Sequence, residues 1–141
     1  MAKAIRQSTV GTTQAIKHGY RSGLEDKISE QLKSLSVPVK YEELKISYSV
    51  PESLHTYTPD FELPNGIIIE SKGRFVAADR KKHLLVKQQY PHHDIRFVFS
   101  NSNAKINKGS KTSYADWCNK FGFLYADKLI PEGWIEEKHD D

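Results

Sequence analysis

The sequence contains a single cysteine among 141 residues, and it has no run of eighteen consecutive apolar residues. One cysteine cannot build an internal disulfide framework, which fits a reducing compartment. The chain also lacks an apolar segment long enough to cross a membrane, and its first residues lack the apolar middle of a secretory signal. We therefore expect no membrane association and a location in the cytoplasm, where the protein is made.

A zinc site is not expected either. The six histidines show no metal-ligand spacing with Cys118. Cys118 lies in an apolar helical pattern and is predicted to fill the core. Because 38% of the residues are hydrophobic, including two Trp, six Phe and seven Tyr, we expect one domain with a proper core and no second independent domain.

Charge is distributed unevenly along the chain. The first 23 residues carry four basic and no acidic side chains, and residues 72–111 carry ten basic against two acidic ones, although the net charge is only +3. The middle basic block indicates a polyanionic partner. A solvated lysine-rich face fits the charge pattern equally well.

Hydrophobic periodicity predicts an alternation of helices and strands that is typical of a mixed α/β or α+β domain. The first twenty residues are polar and aperiodic, and they are predicted to form a flexible arm. The predicted elements are a helix from residue 22, a strand at 39–50, strands at about 55–63 and 67–72, a helix at 76–90, a strand at 94–100, a helix at 114–122 and a short strand within 123–135.

Residues with capping chemistry mark the ends of two of these helices. Ser22 and Glu25 have the spacing of a capping box, so Ser22 is the predicted N-cap. Thr112 or Ser113 is predicted to cap the later helix, which Gly122 closes. Taken by itself, Glu25 needs no role beyond this cap.

Two acidic residues, Asp60 and Glu70, stand in apolar, β-rich sequence on either side of a turn. In a hairpin with the loop at 64–66, Leu63 pairs with Ile67, and this register places Asp60 directly opposite Glu70. Like charges on cross-strand partners are destabilising. Water, a shared proton or a cation must offset the repulsion.

Side chains alternate faces along a strand, so Lys72 shares a face with Glu70. Two carboxylates on rigid strands offer the hard oxygen ligands that Mg²⁺ or Mn²⁺ needs. Lys72 is then placed to orient or deprotonate an attacking water, or to stabilise charge on a phosphate. In the alternative interpretation, Asp60 is solvated beside the turn and Glu70 forms an exposed ion pair with Lys72 on an edge strand, which Pro59 favours.

A wider set of motifs surrounds these residues. The PD dipeptide at 59–60 and the ESK tripeptide at 70–72 match the PD…(D/E)xK signature of the restriction-endonuclease-like nucleases. The other motifs are RSGLEDK (21–27), TYTPDF (56–61), LPNGI (63–67), DRKKHLL (79–85), KGS with TSY (108–114) and ADKLIP (126–131). Together, over residues 21–135, they closely resemble the phage endonuclease I family, the Holliday-junction resolvases of T-seven-like phages.

The resemblance implies a restriction-endonuclease-like mixed sheet flanked by helices, in an intertwined, domain-swapped homodimer. Residues 1–20 would then be a basic N-terminal arm, and residues 21–135 would be the nuclease domain. The strand and bridge at 39–51 would connect the two lobes of the dimer. Residues 136–141 form an acidic tail where the family can have a basic one, so the grip on DNA would depend on the arm and the basic block.

The resemblance also implies an activity: metal-dependent cutting of four-way junctions and other branched DNA, in the cytoplasm or nucleoid of an infected host cell, with products that keep 5′-phosphates. Asp60 and Glu70 would hold the divalent ions, expected as two Mg²⁺ per site with Mn²⁺ as a substitute. Glu25 would complete the metal environment, and Lys72 would serve the attacking water. The catalytic role of Glu25 follows from the resemblance alone.

Basic side chains are the candidates for contacts with DNA phosphates, since selectivity for branched DNA is expected to come from shape rather than from base reading. These candidates are Arg74, Arg80, Lys81, Lys82, His83, Lys105, Lys108 and Lys111, with Lys3, Arg6, Lys17 and Arg21 from the arm. The residues predicted for the core are Leu84, Leu85, Phe97, Phe99 and Trp117. Tyr57 is predicted to pack in the protein rather than to stack on a base.

Two alternative functions remain open from the sequence. One is a nuclease of the same fold that cuts ordinary duplex or single-stranded DNA. The other is a non-catalytic, junction-binding architectural protein whose carboxylates only cap and pair. Metal-dependent cleavage that is lost in Glu70→Ala or Lys72→Ala, with DNA binding retained, would exclude the second.

Overall fold

The computed structural model describes residues 23–50 and 53–138. Its strands are β1 (Lys40–Tyr41), β2 (Ile46–Val50), β3 (Ser53–Tyr57), β4 (Phe61–Glu62), β5 (Ile68–Lys72), β6 (Ile95–Phe99) and β7 (Tyr125–Asp127). Its helices are α1 (Gly23–Ser34), α2 (Ala77–Gln89), α3 (Tyr114–Phe121) and α4 (Glu132–Glu136). The predicted N-terminal arm, the predicted cap Ser22 and the last three residues lie outside the described residues.

A five-stranded mixed sheet forms the centre of the fold. Its strand order is β1-β4-β5-β6-β7, with antiparallel pairs β1–β4 and β4–β5 and parallel pairs β5–β6 and β6–β7. Each parallel pair is joined through a helix, as crossover connections require. The prediction of a mixed α/β fold with helices around a mixed sheet is therefore confirmed.

Two hydrophobic clusters cover the two faces of this sheet, because alternate residues of each strand point to opposite faces. Phe97 and Phe99 pack with Trp117 and Cys118 of α3 on one face, together with residues of α2. On the other face, β-strand side chains pack against α1 and the C-terminal residues; the members include Ile28, Leu32, Phe61, Ile69, Val98 and Ile130. Cys118 is buried and free, as predicted, and Leu84 and Leu85 pack at the edge of the first cluster.

The turn between β4 and β5 has the predicted register. The Leu63 amide donates to the Ile67 carbonyl over 2.9 Å, and Phe61 pairs with Ile69. Gly66 has φ = 90°, a left-handed conformation that glycine adopts without a steric penalty. This hairpin brings Asp60 to the level of Glu70.

The predicted continuous strands at 39–50 and 55–63 are both wrong. The chain leaves the main sheet after Tyr41 through Glu42, whose φ is +52°, and it returns only at Phe61. Between these points β2 and β3 form a separate two-stranded sheet in which Ile46 pairs with Tyr57. We call this two-stranded sheet, 46–57, the side hairpin. It packs on α2, where the Gln89 side-chain amide pairs with the backbone N–H and C=O of Ser49.

A side-chain amide on helix α1 forms two hydrogen bonds with the backbone of one residue before α4, and these bonds attach the helix to the rest of the fold. The Gln31 amide donates to the Ile130 carbonyl over 2.6 Å and accepts from the Ile130 N–H over 2.9 Å. Glu25 lies six positions earlier on the same helix. The contact therefore fixes the axial position of the residue that the resemblance assigns to the metal site.

The ends of α3 agree with the sequence. Ser113 is the N-cap, its hydroxyl accepts from the Asp116 N–H, and the Asp116 carboxylate accepts from the Ser113 N–H. Gly122 follows the helix in a left-handed conformation with φ = 77°. At the C-terminus, the Glu137 carboxylate accepts two hydrogen bonds from the buried Arg96 guanidinium, so the start of the acidic tail has a structural role. No helix in the described part of the chain is long and apolar enough to cross a membrane.

Candidate active site

The four residues that the sequence singled out converge on one cleft. This cleft has a volume of about 530 Å³ and lies where β5 ends, against the first turn of α1 and the N-terminal half of α2. Its lining includes Glu25, Asp60, Glu70 and Lys72, together with Thr58, Ser71, Gly73, Arg74, Asp79 and Lys82. The fold thus gathers residues from four separate segments into a single polar pocket.

Asp60 is held in place by the strand opposite. Its Oδ2 atom accepts from the Ser71 N–H over 3.0 Å and from the Ser71 hydroxyl over 2.8 Å. The Asp60 side chain is almost completely buried, so these bonds compensate part of its lost hydration. A backbone bond from the Glu42 N–H to the Asp60 carbonyl ties the turn after β1 to the same point.

Glu70 is also buried, with 3% of its surface exposed, and its two oxygens have different surroundings. The Tyr57 hydroxyl donates to Glu70 Oε2 over 2.7 Å, and the Asp60 N–H approaches the same oxygen at 3.4 Å. Glu70 Oε1 instead lies 3.4 Å from Lys72 Nζ. Burial, followed by the negative charge of Glu70, raises the pKa of Tyr57 well above its usual value, so the phenol remains a donor.

Glu25 approaches the site from the first turn of α1. The Tyr41 hydroxyl donates to Glu25 Oε1 over 2.5 Å. Burial and this hydrogen bond raise the pKa of Tyr41, so this phenol is protonated as well. Tyrosines from two different strands thus each hold one carboxylate of the site.

The tightest acidic group contains a residue that sequence reasoning missed. Glu25, Glu42 and Asp60 each place a carboxylate oxygen within 4.8 Å of the other two, a separation that one cation could bridge. Glu70 is adjacent but not a member of this group, because its carboxylate is directed to Tyr57 and Lys72. The left-handed turn at Glu42 turns its side chain toward the site, and sequence periodicity contains no signal for that turn.

Two lysines bring positive charge to the cleft. Lys72 Nζ lies 3.4 Å from Glu70 Oε1 and 3.6 Å from Asp79 Oδ1, and its side chain is 15% exposed. Burial acts to lower the pKa of Lys72, but the neighbouring carboxylates outweigh it and the net shift is upward. The pKa of Lys82 is lowered by burial and by the charge of Lys72. In the absence of other ligands, Lys72 is therefore an ammonium.

Two of the residues predicted to contact phosphates are buried in the protein. Arg80 is buried and its guanidinium donates to the Phe75 carbonyl over 2.6 Å, so it closes the turn before α2. His83 is completely buried beside the Tyr57 and Phe97 rings. Arg80 and His83 are therefore enclosed by the protein, and the prediction that they contact DNA phosphates is wrong.

The remaining basic candidates are accessible where they are described. Lys82 lines the cleft, and the exposed ones are Arg74, Lys81, Lys105, Lys108 and Lys111. Lys3, Arg6, Lys17 and Arg21 lie outside the described residues. Lys105 Nζ also donates to the Lys111 carbonyl, which fixes part of this basic loop.

The donor set fits a hard divalent cation. Carboxylate oxygens of Glu25, Glu42 and Asp60 converge, Glu70 lines the adjacent part of the cleft, and the lining contains no sulfur or imidazole ligand; such oxygen sets suit Mg²⁺ or Mn²⁺. A bound cation would also offset the repulsion between these buried negative charges. Hydrolysis of a phosphodiester is the chemistry to which such carboxylates with a nearby ammonium are suited.

Comparison with known proteins identifies the relatives of the chain. The family model described as "Phage endonuclease I" matches residues 1–141. The chain is 58% identical over 118 residues to "Endonuclease I" of Escherichia phage T7, covering 84% of this chain and 79% of that protein. It is also 58% identical over 118 residues to "Endodeoxyribonuclease 1" of Enterobacteria phage T3, covering 84% of this chain and 78% of that protein. The chain therefore belongs to the phage endonuclease I family.

Proposed function

We propose that this protein is a structure-selective endodeoxyribonuclease that resolves Holliday junctions and other branched DNA. The observation that carries the proposal is the convergence of Glu25, Asp60, Glu70 and Lys72 in one cleft of a chain from an endonuclease family. Cleavage is hydrolysis of a phosphodiester with the phosphate left on the 5′ end. The reaction takes place in the cytoplasm or nucleoid of the infected host cell.

The carboxylates are the proposed cation ligands. Asp60 and Glu70 hold the ions, with Glu25 and Glu42 completing the oxygen set, and we propose Mg²⁺ at two positions with Mn²⁺ as a substitute. A divalent ion bound there supplies Lewis acidity toward the phosphate and makes water a stronger nucleophile at neutral pH. The anchoring bonds from Tyr41, Tyr57 and Ser71 hold the ligand oxygens in position before DNA arrives.

Lys72 is the proposed partner of the reacting phosphate. Its ammonium, fixed between Glu70 and Asp79, is placed to orient the attacking water and to stabilise the negative charge that builds on the phosphate. Arg74 and Lys82 line the same cleft and would extend the positive surface along the DNA backbone. Such contacts carry affinity without base specificity, so selectivity comes from the shape of the branch.

A homodimer suits the proposed task because a four-way junction needs two symmetric cuts. We propose the intertwined form, in which α1 exchanges between chains across the bridge at 39–51. Within one chain α1 already docks on the body through Gln31 and places Glu25 beside Asp60. Exchange would make the same contacts between two chains.

The test of the proposed function is cleavage of a synthetic four-way junction, with a linear duplex of matched arm sequence as the second substrate. With Mg²⁺, wild-type protein should introduce paired symmetric nicks in the junction and cut the duplex far more slowly. Without Mg²⁺ it should bind but not cut. Equal cutting of both substrates would support a general nuclease, and binding without cutting would support an architectural protein.

Glu70→Gln is the informative variant in this assay, with Glu62→Gln as the matched control because Glu62 lies on β4 and does not line the cleft. Glu70→Gln should abolish cleavage and tighten metal-free junction binding by about 1 kcal/mol, since one carboxylate–phosphate repulsion disappears. Glu62→Gln should retain cleavage. Weaker junction binding by Glu70→Gln at fixed low salt would contradict this electrostatic account.

A further inference from the structure

The two oxygens of Glu70 are not equivalent, and the difference comes from Tyr57. The Tyr57 hydroxyl occupies Oε2 at 2.7 Å, and the backbone N–H of Asp60 approaches the same oxygen. Oε1 lies on the other side, 3.4 Å from the Lys72 ammonium. Oε2 of Glu70 therefore faces the interior of the protein, and Oε1 faces the cleft.

Tyr57 has little freedom to move away from this position. It is the last residue of β3, its side chain is 1% exposed, and its ring packs edge-on against His83 at a centroid distance of 5.0 Å. The ammonium of Lys82 lies 5.4 Å from the centre of the same ring. A rigid ring whose only polar atom donates to Glu70 fixes the rotation of that carboxylate.

The same pattern occurs at Glu25 and Asp60. Tyr41 donates to Oε1 of Glu25, and Ser71 donates twice to Oδ2 of Asp60. In each case the protein occupies one named oxygen with a short hydrogen bond. Because the pattern is repeated, it indicates that Tyr57 orients a carboxylate in addition to packing in the core.

We propose that Tyr57 is a positioning residue that restricts Glu70 to one metal-binding oxygen and so favours Mg²⁺ and Mn²⁺ over Ca²⁺. Small ions require near-octahedral geometry and accept single carboxylate oxygens, whereas Ca²⁺ takes six to eight oxygens and often binds both oxygens of one carboxylate. A Glu70 carboxylate whose Oε2 already accepts a hydrogen bond from Tyr57 is a poorer two-oxygen ligand for Ca²⁺. The inference rests on the proposed role of Glu70 as a metal ligand.

The test is Tyr57→Phe, which removes the hydroxyl and keeps the ring. Calorimetric titration of the DNA-free protein with Mn²⁺ and separately with Ca²⁺ gives the ratio of the two dissociation constants. We expect Mn²⁺ binding to weaken by about tenfold, as for the loss of other residues that orient metal ligands. Ca²⁺ binding should weaken less or strengthen, so the ratio shifts toward Ca²⁺. In junction cleavage, less Ca²⁺ should then suffice to inhibit the Mg²⁺-supported reaction.

Tyr48→Phe is the matched control. Tyr48 is also a buried tyrosine of the side hairpin, on the strand paired with β3, and it does not line the cleft. Its loss should leave the ratio of dissociation constants unchanged. An unchanged ratio in Tyr57→Phe, or equal weakening of both ions, would overturn the proposal.

A second replacement of Tyr57 tests the same role if Tyr57→Phe is unstable. If Tyr57→Phe does not fold, replacement of Tyr57 by 3,5-difluorotyrosine keeps the ring and strengthens the donor, and it must preserve or increase the preference for Mn²⁺; a lower preference would refute the positioning role. Because the titration uses no DNA, its result is separate from nuclease activity. Failure of the wild type to cut junctions would remove the proposed function, whereas failure of the ratio to shift would remove only the role of Tyr57.

Discussion

His83 is a titratable side chain enclosed in an aromatic environment. It is completely buried, its ring meets Tyr57 and Phe97 edge-on, and neither ring nitrogen has a hydrogen-bond partner among the residues that the structure describes. Burial, and then the positive charges of Lys72 and Lys82, lower its pKa well below 6.5. The folded protein therefore keeps His83 neutral at pH values where the unfolded chain binds a proton.

This difference predicts a loss of stability in acid. Above about pH 6.5 both states leave His83 neutral; below it only the unfolded state gains a proton, so the free energy of unfolding falls by up to about 1.4 kcal/mol per pH unit. His83→Leu should remove this part of the pH dependence in urea denaturation series that cross pH 6.5. His92→Leu, at an exposed histidine, is the control. Parallel stability curves for wild type and His83→Leu would contradict the prediction.

At the scale of residues, the sequence predicted the positions of site residues that follow from strand alternation and hairpin register. The pairing of Leu63 with Ile67 placed Asp60 near Glu70, and the period of a strand placed Lys72 beside them. Glu42 could not be found in this way, because a left-handed residue in the middle of an apparently extended segment leaves no pattern. Tyr57 was correctly predicted to pack, but its hydrogen bond depends on tertiary structure.

At the scale of elements, α1 depends on the Gln31 contact for its position. Gln31→Ala removes both bonds to Ile130, which is 2% exposed, and leaves its backbone groups unsatisfied at a cost of about 1–3 kcal/mol. We expect faster amide hydrogen exchange throughout α1 and slower junction cleavage, because Glu25 loses its fixed position. Gln88→Ala, at an exposed glutamine of α2, should change neither. Unchanged exchange in α1 would show that other contacts position this helix.

Elements were predictable where a single local rule determines them. Residues 114–121 form a helix as expected, because its cap, its apolar face and its closing glycine are all local features. The segments 39–50 and 55–63 have strand-like alternation throughout, yet each divides between two sheets. Alternation reports which residues are buried on a strand, and it cannot report which sheet buries them.

At the scale of the whole molecule, the proposed intertwined dimer predicts complementation between two inactive chains. One chain carries Glu25→Ala and the other carries Glu70→Ala, and the two are co-expressed with different tags and purified as a heterodimer. In an exchanged dimer, one site contains both substitutions and the other contains neither. Nicking of one strand of the junction should therefore return. A dimer without exchange has one substitution in each site and stays inactive, which would exclude the intertwined form.

The chain connects the side hairpin to the central sheet at the turn 42–45 and at the bend 58–60. Both connections contribute to the group of three carboxylates, since the turn carries Glu42 and the bend carries Asp60. Tyr57, the last residue before the bend, donates to Glu70. If a second copy of the chain bound the side hairpin, it would contact an element whose two ends carry Glu42, Tyr57 and Asp60. In the proposed dimer, a small displacement of the side hairpin would therefore be enough to change the positions of the proposed metal ligands, with no change in the central sheet.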